Sequence, residues 1–76
     1  MSDDELNLRG LKCPLPALRT RKALRNLAPG RRIAVACTDP LSRIDIPNLV
    51  RETGDHLEAS EEADGCVTFR IRKAGP

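Results

Sequence analysis

The chain has 76 residues, room for one small domain and no second, since a core of this size buries only about three-fifths of the unfolded surface. Phe69 is the sole aromatic, with no Trp and no Tyr, which disfavours recognition of single strands by base stacking and leaves little material for a deep cofactor pocket. Net charge is only +2, but between Leu6 and Thr38 stand eight Lys or Arg residues and no acid, a distribution that raises encounter rates with acidic protein surfaces or phosphate backbones.

Leu6-Asn7-Leu8 alternates as a short first strand and ends at Arg9-Gly10, where glycine permits a sharp change of direction. A helix is predicted to follow. Pro14 suits its first position and Pro16 still falls within the first turn, which places Cys13 at the N-cap. Ala17, Thr20, Ala23, Leu24, Leu27 and Ala28 share one arc, and Pro29-Gly30 stops the helix. From Arg32 to Thr38, Ile33, Val35 and Cys37 alternate with Ala34, Ala36 and Thr38, whose small side chains suit a strand covered on both faces. Asp39-Pro40 closes it. Asp45 is the expected cap of a second helix, with Pro47 in its first turn, Ile46, Leu49 and Val50 on its buried face and Gly54 after its last residue. His56–Glu62 and Cys66–Lys73 flank Asp64-Gly65, a strong hairpin signal. The expected fold is therefore α+β: a two-layer sandwich in the order β-α-β-α-β-β, with both helices on one face of one sheet. Residues 1–76 read as one domain, flexible at 1–5 and 74–76.

Three cysteines at irregular spacing make no disulfide framework, and no Cys/His cluster has zinc-finger spacing. They read as reduced thiols. The acidic start, Met1-Ser2-Asp3-Asp4-Glu5, is unlike a signal peptide, and no segment approaches a membrane span, so the expected location is the cytoplasm.

Cys13, in Leu11-Lys12-Cys13-Pro14-Leu15-Pro16, carries the strongest chemical expectation. A thiol must ionise to act as a nucleophile, and a helix N-terminus lowers its pKa. If the dipole contributes roughly 0.3–1 kcal/mol, the shift is under about one unit and the thiolate fraction at neutral pH about a tenth; Lys12 and Arg9 would add to it. The prolines limit the effect, because only Leu15 and Ala17 can offer backbone donors in the first part of the turn. Pro16 also occupies the place where a Cys-x-x-Cys motif keeps its resolving cysteine, so a persulfide on Cys13 could not be discharged locally as a disulfide. Cys37, on the face of Ile33 and Val35, reads as structural, Cys66 as incidental and His56 as a surface residue at a strand start. No paired carboxylates, metal cluster, phosphate loop or Ser/His/Asp set supports an independent catalytic site. That favours a carrier served by partner enzymes over a stand-alone enzyme.

These residues resemble the TusA/SirA-like sulfur carriers over nearly the whole chain: Leu8-Arg9-Gly10-Leu11-Lys12-Cys13-Pro14-Leu15-Pro16, then Thr38-Asp39-Pro40, Asp45-Ile46-Pro47, Gly54, Asp64-Gly65 and Phe69-Arg70-Ile71-Arg72-Lys73. The resemblance implies a four-stranded mixed sheet under two helices, and a cysteine, here Cys13, that accepts sulfane sulfur from a desulfurase or rhodanese and passes it to an acceptor protein. Relatives serve tRNA thiolation, molybdenum-cofactor metabolism or dissimilatory sulfur oxidation, and some are linked to selenium. The resemblance also implies that Arg9, Gly10, Pro14 and Pro16 shape the site, joined by Lys12 and Leu15, with Asp39 and Asp45 at helix starts where capping explains them. Where many relatives read Gly-His-Glu-Leu, this chain has Gly54-Asp55-His56-Leu57, so the imidazole is displaced by one place, which reverses its face on a strand.

The leading expectation is a monomeric carrier with no cofactor beyond covalent persulfide sulfur on Cys13, docked through Lys12, Arg19, Lys22 and Arg25 to donor and acceptor proteins. The alternatives are a basic nucleic-acid-binding module, suggested also by a general likeness to the C-terminal domain of a bacterial translation initiation factor, and a regulatory adaptor whose cysteine only caps a helix.

Overall fold

Segments that alternate with period two form the sheet, and those with helical period pack across it. In the computed structural model, which describes residues 4–75, the order is β1 (Asp4–Leu8), α1 (Leu15–Arg25), β2 (Arg32–Cys37), α2 (Ser42–Thr53), β3 (His56–Ala63) and β4 (Cys66–Arg72). One four-stranded sheet runs β1-β2-β4-β3. β1 is parallel to β2, with Leu6 opposite Val35 and Leu8 opposite Cys37. β4 lies antiparallel between β2 and β3. This is the expected α+β arrangement.

Because side chains alternate across a strand, Leu8, Ile33, Val35, Cys37, Val67, Phe69 and Ile71 share one face, where they meet Leu24 and Leu27 from the α1 side and Ile46 and Val50 from α2. Among the described residues no helix covers the opposite face. Ala34 and Ala36 are half-buried there, among Glu5, Asn7, Thr68 and Arg70, so the covering expected for these alanines comes only from neighbouring strands. Ion pairs of Arg32 and Arg72 with Glu58, and of Arg70 with Glu61, cross this face. Asp64 and Gly65 both adopt positive φ, 51° and 76°, as a type I′ hairpin requires.

Several boundaries differ from expectation. α1 stops at Arg25, short of Ala28, because the Asn26 side chain donates to the Lys22 carbonyl and its N–H turns to the Ala23 carbonyl. Leu27 still reaches the core. α2 starts at Ser42, before Asp45, with Leu41 at its N-cap, because Asp39 holds the turn before it: the Ser42 N–H and hydroxyl donate to the Asp39 carbonyl at 3.0 and 2.6 Å. Asp45 is therefore a first-turn residue and not the cap, and Pro47 lies inside the helix. At the other end Gly54, φ 80°, completes a Schellman pair, with its own N–H on the Arg51 carbonyl and that of Asp55 on Val50. Of the ends expected to be flexible, Asp4 and Glu5 pair with Ile33 and Ala34, and the Ala74 N–H donates to Asp55 at 2.9 Å; residues 1–3 and 76 lie outside the described residues.

Phe69 is the largest fully buried side chain, so Phe69→Ala is expected to cost about 3–5 kcal/mol in a denaturant titration, against under about 1 kcal/mol for Leu57→Ala on the exposed edge. Thr20 is fully buried on α1, and among the described residues its hydroxyl has no hydrogen-bond partner. Thr20→Val, which keeps the shape, should raise the midpoint or leave it unchanged, the lost penalty being about 1–2 kcal/mol.

Candidate functional site

Two parallel neighbours deliver their following loops to the same edge of a sheet, and ligand sites in open α/β sheets form at that carboxyl edge. Here β1 and β2 do so, and both helices begin there. Gly10, at φ 83°, turns the first loop, and its N–H donates to the Thr38 hydroxyl at 2.9 Å. Asp39 joins the loops more firmly. One carboxylate oxygen accepts the Cys13 N–H and the other the Leu41 N–H at 3.0 Å. These two backbone donors, helped by the charge of Lys12 and only partly opposed by desolvation, hold the Asp39 carboxyl below the usual aspartate range.

Cys13 is exposed. Its Sγ donates to Asp45 Oδ2 at 2.9 Å. That bond pushes the thiol pKa up, and desolvation and the charges of Asp45 and Asp39 push the same way. The expected acidification by the α1 N-terminus is thus reversed. The cap position belongs to Pro14, with Cys13 one residue outside the helix; the Leu15 N–H is taken by the Lys12 carbonyl and the Leu18 N–H by Pro14. Among the described residues no backbone N–H is hydrogen-bonded to Sγ, whereas a carboxylate from α2 is. The Cys13–Pro14 peptide bond is cis.

The sulfur stands between two depressions. One, of about 460 Å³, is lined by Gly10, Leu11, Lys12, Thr38, Pro40 and Leu41 besides Cys13 and Asp39. The other, of about 350 Å³, follows the α1–α2 seam past Ala17, Arg21, Asp45, Asn48 and Glu52. Among the described residues no group of His, Cys, Asp and Glu is placed to hold a metal ion.

Gly10, Lys12 and Pro14 line these depressions, Pro16 is buried beneath the first turn of α1, and Leu15 is exposed. Arg9 goes elsewhere: it lies at the open face of the sheet, beside Ala34 and Thr68. Arg19, Lys22 and Arg25 are exposed along one side of α1, and among the described residues they make no ion pair, while Arg21 pairs with Glu52 at 3.3 Å. Cys37 is buried, and that burial raises its pKa, with the Ser42 hydroxyl opposing. Cys66 is half-buried and His56 exposed at the start of β3.

Sequence reasoning gave Asp39 and Asp45 only helix-capping duties; their spacing within Asp39-Pro40 and Asp45-Ile46-Pro47 carries no sign that both converge on Cys13. It also passed over Asp55. The Asp55 side chain is buried, accepts from Thr53 Oγ1 at 2.7 Å and Ala74 N–H, and lies 3.9 Å from Lys73 Nζ, a structural tie at the far end of α2. A further unread feature is apolar. Of the five large hydrophobic residues exposed among the described residues, Leu15, Leu18, Leu41 and Ile44 belong to the starts of the two helices, the end that carries Cys13.

A family model described as sulfurtransferase TusA matches residues 4–73. The sulfur carrier protein TusA of Allochromatium vinosum is 40% identical over 72 residues, covering 95% of each chain. That of Pseudomonas aeruginosa is 38% identical over 71 residues, 93% of this chain and 90% of the relative. Among solved structures, the SirA-like protein of Desulfitobacterium hafniense superposes with a TM-score of 0.81 at 25% identity, covering 93% of this chain and 97% of that one.

The Asp39 bridge sets an acid limb. A carboxyl whose folded pKa lies below its unfolded value of 3.8 stabilises the fold above that pH and loses its contribution as pH falls through the folded value. The melting-temperature gap between wild type and Asp39→Ala is therefore expected to be widest near neutrality and to narrow below about pH 4, as followed by circular dichroism.

Proposed function

The chain belongs to the sulfurtransferase TusA family, and from that premise we propose that it is a sulfur carrier whose cargo is held as a persulfide on Cys13. The observation that carries this assignment is the exposed thiol at the carboxyl edge of β1 and β2, on a loop pinned through Asp39. The other two cysteines are less suited, Cys37 being buried and Cys66 half-buried. A resolving thiol is absent from the turn, where Pro16 replaces it, so the carried sulfur waits for an acceptor.

A carrier works between a donor and an acceptor. The chemistry fits a cysteine desulfurase or rhodanese as donor and a sulfur-relay protein as acceptor, with the chain acting as a monomer in the cytoplasm and needing no cofactor other than the covalent sulfur. Leu15, Leu18, Leu41 and Ile44 around the site give apolar area for transient docking, and Arg19, Lys22 and Arg25 give an acidic partner a long-range pull. Among the described residues no helix is long and apolar enough to cross a membrane. The relatives' names lend no support to the nucleic-acid-binding alternative.

Intact-protein mass spectrometry after incubation with cysteine and a cysteine desulfurase tests the assignment. Wild type is expected to gain one sulfur atom and Cys13→Ser none. Failure of the wild type to load from several donors, or equal loading without Cys13, overturns it.

A further inference from the structure

The contact between Cys13 and Asp45 exists only while the sulfur bears hydrogen. Sγ is the donor and Oδ2 the acceptor, 2.9 Å apart, and a carboxylate offers no hydrogen in return. In a persulfide, Cys13–S–SH, the inner sulfur has lost its only hydrogen and faces the same oxygen as one lone pair faces another. The outer sulfur is a stronger acid than a thiol and is largely anionic at neutral pH. We propose that Asp45 is a positioning residue that holds the proton of the empty thiol and releases the side chain once sulfur is loaded, so that Cys13 leaves α2 only when it carries cargo. For the loaded state this rests on the sulfur-carrier assignment; for the empty thiol it needs no donor.

The charges around the sulfur favour that division. Asp45 comes from α2 and Asp39 from the loop after β2, and both carboxylates disfavour an anion on Cys13. Lys12, on the Cys13 loop, acts on Asp39. Arg21, the cation of α1 on the same seam, is engaged by Glu52 of α2 at 3.3 Å. No cation among the described residues bonds to Sγ, so a negative sulfur is driven outward and not drawn in. The other depression that Cys13 lines, with Leu11, Lys12, Asp39 and Leu41, does not include Asp45; it gives the loaded side chain space beside Lys12, the one cation in its lining, although Asp39 lies there too.

Loading balances without oxidant or reductant. With a donor persulfide R–S–SH, Cys13 gives up its proton and the thiolate attacks the donor's terminal sulfur. The S–S bond to Cys13 forms as the donor S–S bond breaks; its electron pair leaves on R–S⁻, which takes up the proton that Cys13 lost and departs as R–SH. Asp45 ends as it began, now facing a sulfur that cannot donate to it.

The experiment follows alkylation of Cys13 by iodoacetamide across neutral to alkaline pH, resolved by peptide mass spectrometry. It uses wild type, Asp45→Asn and Asp45→Glu, each empty and after chemical loading with inorganic polysulfide. Empty Asp45→Asn is expected to react about three- to tenfold faster at neutral pH, because losing the hydrogen bond and charge of the carboxylate lets the thiol ionise more readily, with Asp45→Glu restoring much of the wild-type profile. Loaded wild type and loaded Asp45→Asn should react within about twofold of each other, that is within about 0.4 kcal/mol. Coincident empty profiles overturn the proposal, as does a loaded pair that differs by the same factor as the empty pair. If Asp45→Asn does not fold, wild type alone decides: its Cys13 midpoint must lie above that of the same residue in denatured protein, and a midpoint at or below it overturns the proposal. Failure of desulfurase loading would instead remove the carrier assignment and leave the empty-thiol result standing.

Discussion

The Asp39 carboxylate is the joint on which the site depends. Its two oxygens take the backbone N–H groups of Cys13 and Leu41, one in each loop at the carboxyl edge of the parallel pair, while its carbonyl accepts the N–H and hydroxyl of Ser42, the first residue of α2. One residue thus fixes the start of the second helix and the position of the reactive loop before the first. A carboxylate serves better than a neutral cap, because charge-assisted bonds to N–H groups are shorter and stronger and the same oxygens resist protonation.

With the loop pinned, α2 brings Asp45 to the sulfur. A first-turn carboxylate is favoured at a helix N-terminus in any case, so the placement suits the helix as well as the contact. For the thiol it means a proton held rather than released. A helix start would acidify a cysteine that capped it, yet Cys13 sits outside the helix behind Pro14, and the nearest strong electrostatic partner is negative. A carrier tolerates this. A carrier's sulfur has to be reached by donor and acceptor proteins and kept from adventitious electrophiles, and a thiol that ionises reluctantly is the less reactive one in solution.

The surroundings fit transient exchange. Apolar side chains are exposed at both helix starts, and Arg19, Lys22 and Arg25 form an exposed basic strip along α1, which under the proposed function would offer contact area and a long-range pull that salt weakens. The bare face of the sheet, with its small side chains and cross-strand ion pairs, lies on the far side from the helices and takes no part in holding Cys13.

Periodicity and turn chemistry in the sequence determined the order of elements, the core face of Ile33, Val35, Cys37, Val67, Phe69 and Ile71, the hairpin at Asp64-Gly65, and Cys13 as the residue of interest, because alternation, proline geometry and positive φ act over a few neighbours. The end of α1 and the start of α2 escaped it, since single side chains, Asn26 and Asp39, moved them. Only the tertiary structure decided the protonation bias of Cys13. That bias comes from Asp39 and Asp45, 26 and 32 residues away along the chain, and a charge acts through space at a distance that only the packing of α2 beside the β1–α1 loop can set. Arg9, although only four positions from Cys13 in the chain, lies at the open face of the sheet, because it follows the core-facing Leu8 and alternation turns it to the other side.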